Sequence, residues 1–335
     1  MKGMNYNLLK AMTGIIASVI MLGLSASRGL AQGLTVQLED KEVPVSEFNG
    51  LNISDNFDVT VAKGSFSVKL TVDKDLMPYV DVYVRSKTLY LSYDQKAVPK
   101  DIKKQYKGKS APVPVFRVVV YTPTLESVVM SDNTRLTGVE EFFSSNFTLD
   151  AADKAEVQNL TVNATSAKVQ MKKNTKAMLT LKTDRGVEVV TEGNASVKLN
   201  STGKELIVNT SGSSNVAATG DCTLLNIASA GSSQVNVTTE TEKVAVTAEG
   251  SSKVLLNGRG KQLIVKGTRS SSLDAYAFPV DEVEADLAGS STVSVSVSQK
   301  VSATLVGGSS LYYSGTPEFR ITKIVKSTLA PYGTK

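Results

Sequence analysis

One short phrase returns six times between residues 206 and 314, and it leaves few folds open. It reads Thr210-Ser211-Gly212-Ser213-Ser214-Asn215-Val216, then Ser229-Ala230-Gly231-Ser232-Ser233-Gln234-Val235, then Ala248-Glu249-Gly250-Ser251-Ser252-Lys253-Val254. The fourth copy, Gly267-Thr268-Arg269-Ser270-Ser271-Ser272-Leu273, carries Arg in the Gly slot. Leu287-Ala288-Gly289-Ser290-Ser291-Thr292-Val293 and Val306-Gly307-Gly308-Ser309-Ser310-Leu311-Tyr312 complete the series, with slots 19, 19, 19, 20 and 19 residues apart. A fixed period with a small-residue corner marks a solenoid, in which each repeat buries its apolar face only against its neighbours.

Around the slot the apolar residues alternate. Six positions before it stand Leu206, Leu225, Val244, Leu263 and Val283; four before it, Val208, Ile227, Val246, Val265 and Ala285. Four after it come Val216, Val235, Val254, Leu273, Val293 and Tyr312, while polar residues such as Asn209, Lys266, Asn215, Gln234 and Lys253 fill the odd positions. A period of two means strands with one face inward, and stacking them in register gives parallel sheets about 4.8 Å apart between strands. The fold class is all-β, a right-handed parallel β-helix of ~19-residue coils with Gly-Ser-Ser corners.

At those corners Ser214, Ser233, Ser252, Ser271, Ser291 and Ser310 are expected to form a ladder of small hydroxyls bonding nearby backbone. Gly212, Gly231, Gly250, Gly289 and Gly308 point to positive φ or close packing between coils, a reading that Arg269 strains. The ladder is structural: a catalytic serine would be one unusual copy, not six similar ones.

The chain begins with the three parts of an export signal over residues 1–31. Lys2 and Lys10 precede an apolar run over 11–24, and Gly29-Leu30-Ala31 offers a small-x-small cleavage site. The run is shorter than the roughly 20 residues that a membrane span needs. The only cysteine, Cys222, lies deep in the repeats as a buried small hydrophobe, so neither an intrachain disulfide nor a lipid-bearing cysteine after the signal is expected. Net charge is +5, and +2 without Lys2, Lys10 and Arg28, too weak to argue for nucleic acid. Residues 96–109 carry six lysines against Asp101 and read as a solvated loop, or as a contact for anionic glycan.

Residues 32–123 alternate as strands without the short repeat and are expected to form an N-terminal cap and first coils, with hairpin turns at 62–65 and 85–88. Residues 124–335 form the solenoid. Degenerate coils run from Leu125, with Ser131-Asp132-Asn133 at a corner, to Gly193, which lies 19 residues before Gly212.

The opening Phe48-Asn49-Gly50-Leu51-Asn52-Ile53, the Val59-Thr60-Val61 strand leading to Gly64, Tyr121-Thr122-Pro123, the Gly-Ser-Ser corners and the close Tyr313-Ser314-Gly315-Thr316-Pro317 together carry a resemblance. Over about residues 45–330 the chain resembles the family named "putative auto-transporter adhesin, head GIN domain", exported β-solenoid proteins of Gram-negative envelopes. The resemblance implies an exported binding protein in the periplasm, at the outer-membrane surface or secreted. No run of ~10-residue alternating strands follows the repeats, so a membrane barrel of its own is not expected.

The absence of histidine excludes a histidine-based triad, and no zinc-type cysteine spacing occurs. No metal site or cofactor is expected. An enzymatic reading requires clustered carboxylates for glycan hydrolysis or lysis; its candidates are Asp150, Asp153, Asp184, Arg185 and Glu188, in coils where the ladder breaks. Asp132 and Asp153, at neighbouring corners, could hold calcium only if stacked. The expected function is non-enzymatic: polar outward faces that bind polysaccharide or an envelope or surface protein through many weak contacts. Self-association in envelope assembly is a further expectation; binding of nucleic acid is not.

Overall fold

The computed structural model describes residues 36–333. The export signal expected over residues 1–31 lies outside them. The described chain is 65% strand and 3% helix, wound into a β-solenoid of about 11 turns at ~19-residue spacing. Among the described residues no helix is long and apolar enough to cross a membrane.

Each regular coil has two strands and two corners. Leu224–Ser229, Lys243–Ala248 and Gln262–Gly267 stack in parallel in the first sheet, with Leu225, Val244 and Leu263 in register. Asn215–Thr219, Gln234–Glu240 and Lys253–Arg259 stack likewise in the second, where Val216, Val235 and Val254 meet. The glycine corner leads from the first sheet to the second, and an opposite corner leads back.

Inward residues of both sheets form one continuous core. Leu206, Leu225, Val244, Leu263 and Val283 are all at most 2% exposed. Removing a side chain of this size from water contributes roughly 1.5–3 kcal/mol, so the interior columns carry the stack. The last coil corrects the sequence register. Val293 pairs with Leu311, which is fully buried, so Leu311 and not Tyr312 continues the inward column.

The N-terminal coils begin earlier than the phrase does. Gly50–Ile53 already lies parallel to Ser127–Met130, and Asp58–Ala62 to Arg135–Gly138. Antiparallel strands close this end: Leu38–Pro44 pairs with Ser67–Asp73, and Val80–Arg85 with Thr88–Tyr93. The second pair is a two-residue hairpin, since Ser86 and Lys87 both take positive φ. The hairpin expected at 62–65 does not form. Asp58–Ala62 and Ser67–Asp73 both pair with Phe116–Tyr121, which lies between them.

Part of the lysine-rich run is a helix, Lys100–Gln105, and not a loop throughout. Val98 is buried, and Ile102 and Tyr106, four residues apart on one helical face, pack on the core of the first coils. Among the described residues nothing comparable covers the other end. Glu318–Val325 pairs with the strand Thr292–Val306 and, among the described residues, with no other strand; all eight of its residues are exposed.

Candidate functional site

The glycine corner is a conformational slot repeated along the stack. Gly193, Gly212, Gly231, Gly250 and Gly289 have φ of 72–77°. Asp55, Asp132, Asp153, Lys173 and Arg269 hold the same left-handed conformation at φ of 60–65°. The slot therefore requires positive φ even where its residue is Arg269. In the final coil Gly307 (φ 75°) stacks on Gly289.

Two residues past the slot, Ser214, Ser233, Ser252, Ser271 and Ser291 point inward and are buried. Ser214 Oγ donates to the Ser211 carbonyl at 2.8 Å, and Ser291 Oγ to that of Ala288 at 3.0 Å. Ser233 makes the equivalent bond to Ala230. Thr134, to Ser131 at 2.9 Å, extends the pattern into a degenerate coil. Ser310 does not belong to the series: Thr292 pairs with Ser310, which places Ser309 beside Ser291. Ser309 is fully buried, whereas Ser310 is half-buried and faces outward. The pair Gly308 and Ser310 thus gives way to Gly307 and Ser309, and this coil is 18 residues long.

The enzymatic candidates are dispersed. Asp150 pairs with Gln170, which pairs with Val190, two residues beyond Glu188. Two strand spacings and two residue rises separate Asp150 from Glu188 by about 12 Å between Cα atoms. Glu188 is engaged by Lys168 at 2.9 Å. Asp153 occupies a corner slot, where Lys173 of the next coil forms an ion pair with it. Asp184 and Arg185 lie towards the opposite corner, about 20 Å from Asp150. Asp132 and Asp153 do stack, with Asp55 beside them. Asp132 Oδ2 accepts from the Asp55 amide at 3.3 Å and from Ser131 Oγ at 2.9 Å. Among the described residues no group of three metal-ligating side chains converges.

The lone thiol, Cys222, is half-buried at the opposite corner, more exposed than the sequence suggested. Its Sγ lies 3.8 Å from Thr239 Oγ1, and burial pushes the thiol's pKa up, which keeps it in its unreactive form.

A concavity that sequence reasoning missed lies on the outside of the first sheet, beside the glycine corner. It runs across four coils and is lined by Val190, Asn209, Ala228 and Thr247, with Glu192, Ser211, Ala230 and Glu249 along the corner. Small side chains make it: Ser211 and Ala230 sit between Glu192 and Glu249 in the position preceding the slot. The signal was present as the run Glu192, Ser211, Ala230, Glu249, one per coil, but only the register turns those letters into a groove with two charged ends. Three coils separate the carboxylates, about 14 Å between Cα atoms.

On the second sheet two of the outward columns are mostly hydroxyls and amides. Ser196, Asn215, Gln234, Lys253, Ser272 and Thr292 follow one another in register, as do Thr180, Asn200, Thr219, Thr238 and Asn257. Asn257 Nδ2 donates to Asn236 Oδ1 at 3.3 Å across coils.

No curated protein matches the chain. Among solved structures it is similar to a "putative adhesin" from Parabacteroides merdae, at 18% identity over 88% of this chain and 96% of that one, with a TM-score of 0.33. A "putative adhesin" from Parabacteroides distasonis gives 16% identity over 90% and 98%, at a TM-score of 0.40. A "putative lipid binding protein" from the same species gives 15% over 88% and 96%, at 0.30. The family model matches residues 47–220 and 223–317. That is most of the chain, which therefore belongs to the family described as "putative auto-transporter adhesin, head GIN domain".

Proposed function

We propose that this is an exported, non-enzymatic binding solenoid of the cell envelope that holds a polysaccharide strand along the first sheet. The observation that carries the reading is the groove over Asn209, Ala228 and Ser211: it follows the solenoid axis, has an uncharged floor, and ends in Glu192 and Glu249. Such a groove suits an extended ligand whose hydroxyls meet amide, hydroxyl and carboxylate acceptors at each coil, so that weak contacts add along its length. Export to the periplasm, the outer-membrane surface or the medium is supported by the signal pattern and by the family's description.

The test is an array of bacterial and host glycans, read for both retention and cleavage products. The native chain should retain at least one polysaccharide uncleaved. Ala228→Trp, which fills the groove from an exposed strand position, should abolish retention, and Gln234→Ala on the other sheet should leave it intact. Cleaved product, or retention unchanged in Ala228→Trp, would refute the reading; retention lost on Gln234→Ala would move the site to the second sheet.

A further inference from the structure

The two ends of the solenoid differ, and the difference selects a partner. At the N-terminal end the core is covered by antiparallel strands and by the helix Lys100–Gln105. At the other end Phe319, Ile321, Ile324, Val325 and Tyr332 are 38–47% exposed. Phe319, Ile321 and Ile324 stand beside Val301, Ala303 and Leu305, all buried, so they occupy core columns that lack their next coil. Apolar surface beside an unpaired strand edge is the combination that recruits another chain.

We propose that this open end is the interface of a closed, two-fold dimer, in which Glu318–Val325 pairs antiparallel with the same strand of a second copy. A two-fold contact uses the same end of both copies, so association through it stops at two instead of growing into a filament. Size is adequate: two sheets about 10 Å apart with their side chains, and strands of about 26 Å, give on the order of 1,000 Å² buried in total.

Parity narrows the register. Inward residues must oppose inward residues, or a core row turns to solvent. Thr322 is an extra residue at a bulge, leaving Glu318, Arg320, Lys323 and Val325 outward. Centring the two-fold axis on Arg320 sets Phe319 opposite Ile321 of the second copy and Glu318 opposite Lys323, each twice. Its cost is the meeting of the two Arg320 side chains on the axis, where they are exposed and screened.

Sedimentation velocity of the purified chain at sub-millimolar concentration tests the proposal, with circular dichroism confirming the fold of each variant. A dimer is expected. Lys323→Glu and Glu318→Lys should each weaken it about tenfold, as cross-strand attraction turns to repulsion at two symmetry-related sites. The double variant Glu318→Lys/Lys323→Glu should restore it, and Arg320→Thr should strengthen it. A monomer, a concentration-dependent series beyond two, or a dimer indifferent to both single charge changes would overturn the proposal.

Discussion

In the coils between residues 193 and 250 the corner slot is glycine, whereas between 55 and 173 it is Asp55, Asp132, Asp153 and Lys173, yet both groups are left-handed. The two groups also differ in the step between successive corners. From Asp132 the steps are 21, 20 and 20 residues to Gly193, and 19 thereafter to Arg269. At the shorter step a Cβ on Gly231 would stand 2.6 Å from the Gly212 carbonyl oxygen, closer than real Cβ contacts allow. Step length is not the whole account: Gly193 and Gly289 both follow 20-residue steps, and a Cβ on Gly289 would stand 2.9 Å from the Arg269 backbone; aspartate is among the residues that tolerate the left-handed conformation. Arg269 breaks the pattern: it follows a 19-residue step and is neither glycine nor aspartate.

The largest test of this contrast compares the regular coils with themselves. Val235→Asp places a carboxylate in the continuous core and should abolish the thermal unfolding transition, whereas Gln234→Asp beside it should change stability by no more than about 0.5 kcal/mol. Next come the slots. Gly231→Ala should cost at least about 1–2 kcal/mol in denaturant unfolding, while Arg269→Gly should gain about 0.5–1 kcal/mol as left-handed strain is relieved. Equal effects at the two positions would mean that coil spacing does not decide the slot.

The serine ladder gives a finer comparison. Ser214→Ala removes a bond of 2.8 Å to Ser211 and should cost about 1 kcal/mol. Among the described residues the buried hydroxyls of Ser252 and Ser271 have no hydrogen-bond partner, so Ser252→Ala should be neutral or slightly stabilising. The smallest effect lies in the N-terminal cap. Burial, foremost, raises the pKa of Asp73, although Oδ2 accepts from the Val115 amide at 3.1 Å. A carboxyl raised on folding binds its proton more tightly in the folded state. Its contribution is thus most favourable below its ordinary pKa and declines as pH rises towards the folded value. Asp73→Asn should flatten this acid-side dependence in melts across the carboxylate range. The same end holds Tyr106, whose hydroxyl is pushed up to about 12 by burial and by the charges of Asp73 and Asp75.

How much of this was legible depended on whether letters or register carried it. The 19-residue step and the alternation of Leu225, Ile227 and Val235 were readable because inward columns admit only a few side chains. Ser310 was misplaced because Gly307-Gly308-Ser309-Ser310 fits two frames with identical letters. Only the preference of the core column for Leu311 over Tyr312 separates them. Helix Lys100–Gln105 left its signal in Ile102 and Tyr106, four residues apart, but six lysines masked it as a solvated stretch. The groove was invisible for a different reason: Ser211 and Ala230 are unremarkable singly, and become a depression only when Glu192 and Glu249 are known to flank them three coils apart. Asp150 and Asp153 were close in sequence and lie on a strand and at a corner, and Asp184 lies towards the opposite corner.

The exposed strand of the last coil also gives the molecule a mechanical direction. Among the described strands Glu318–Val325 pairs along one edge only, so tension on a single chain applied near Val325 peels rungs in reverse order. Each coil released would add about 60 Å of slack for its ~19 residues. A single molecule stretched from that end should therefore yield in nearly equal steps, until it reaches the antiparallel strands and the helix that lock the other end.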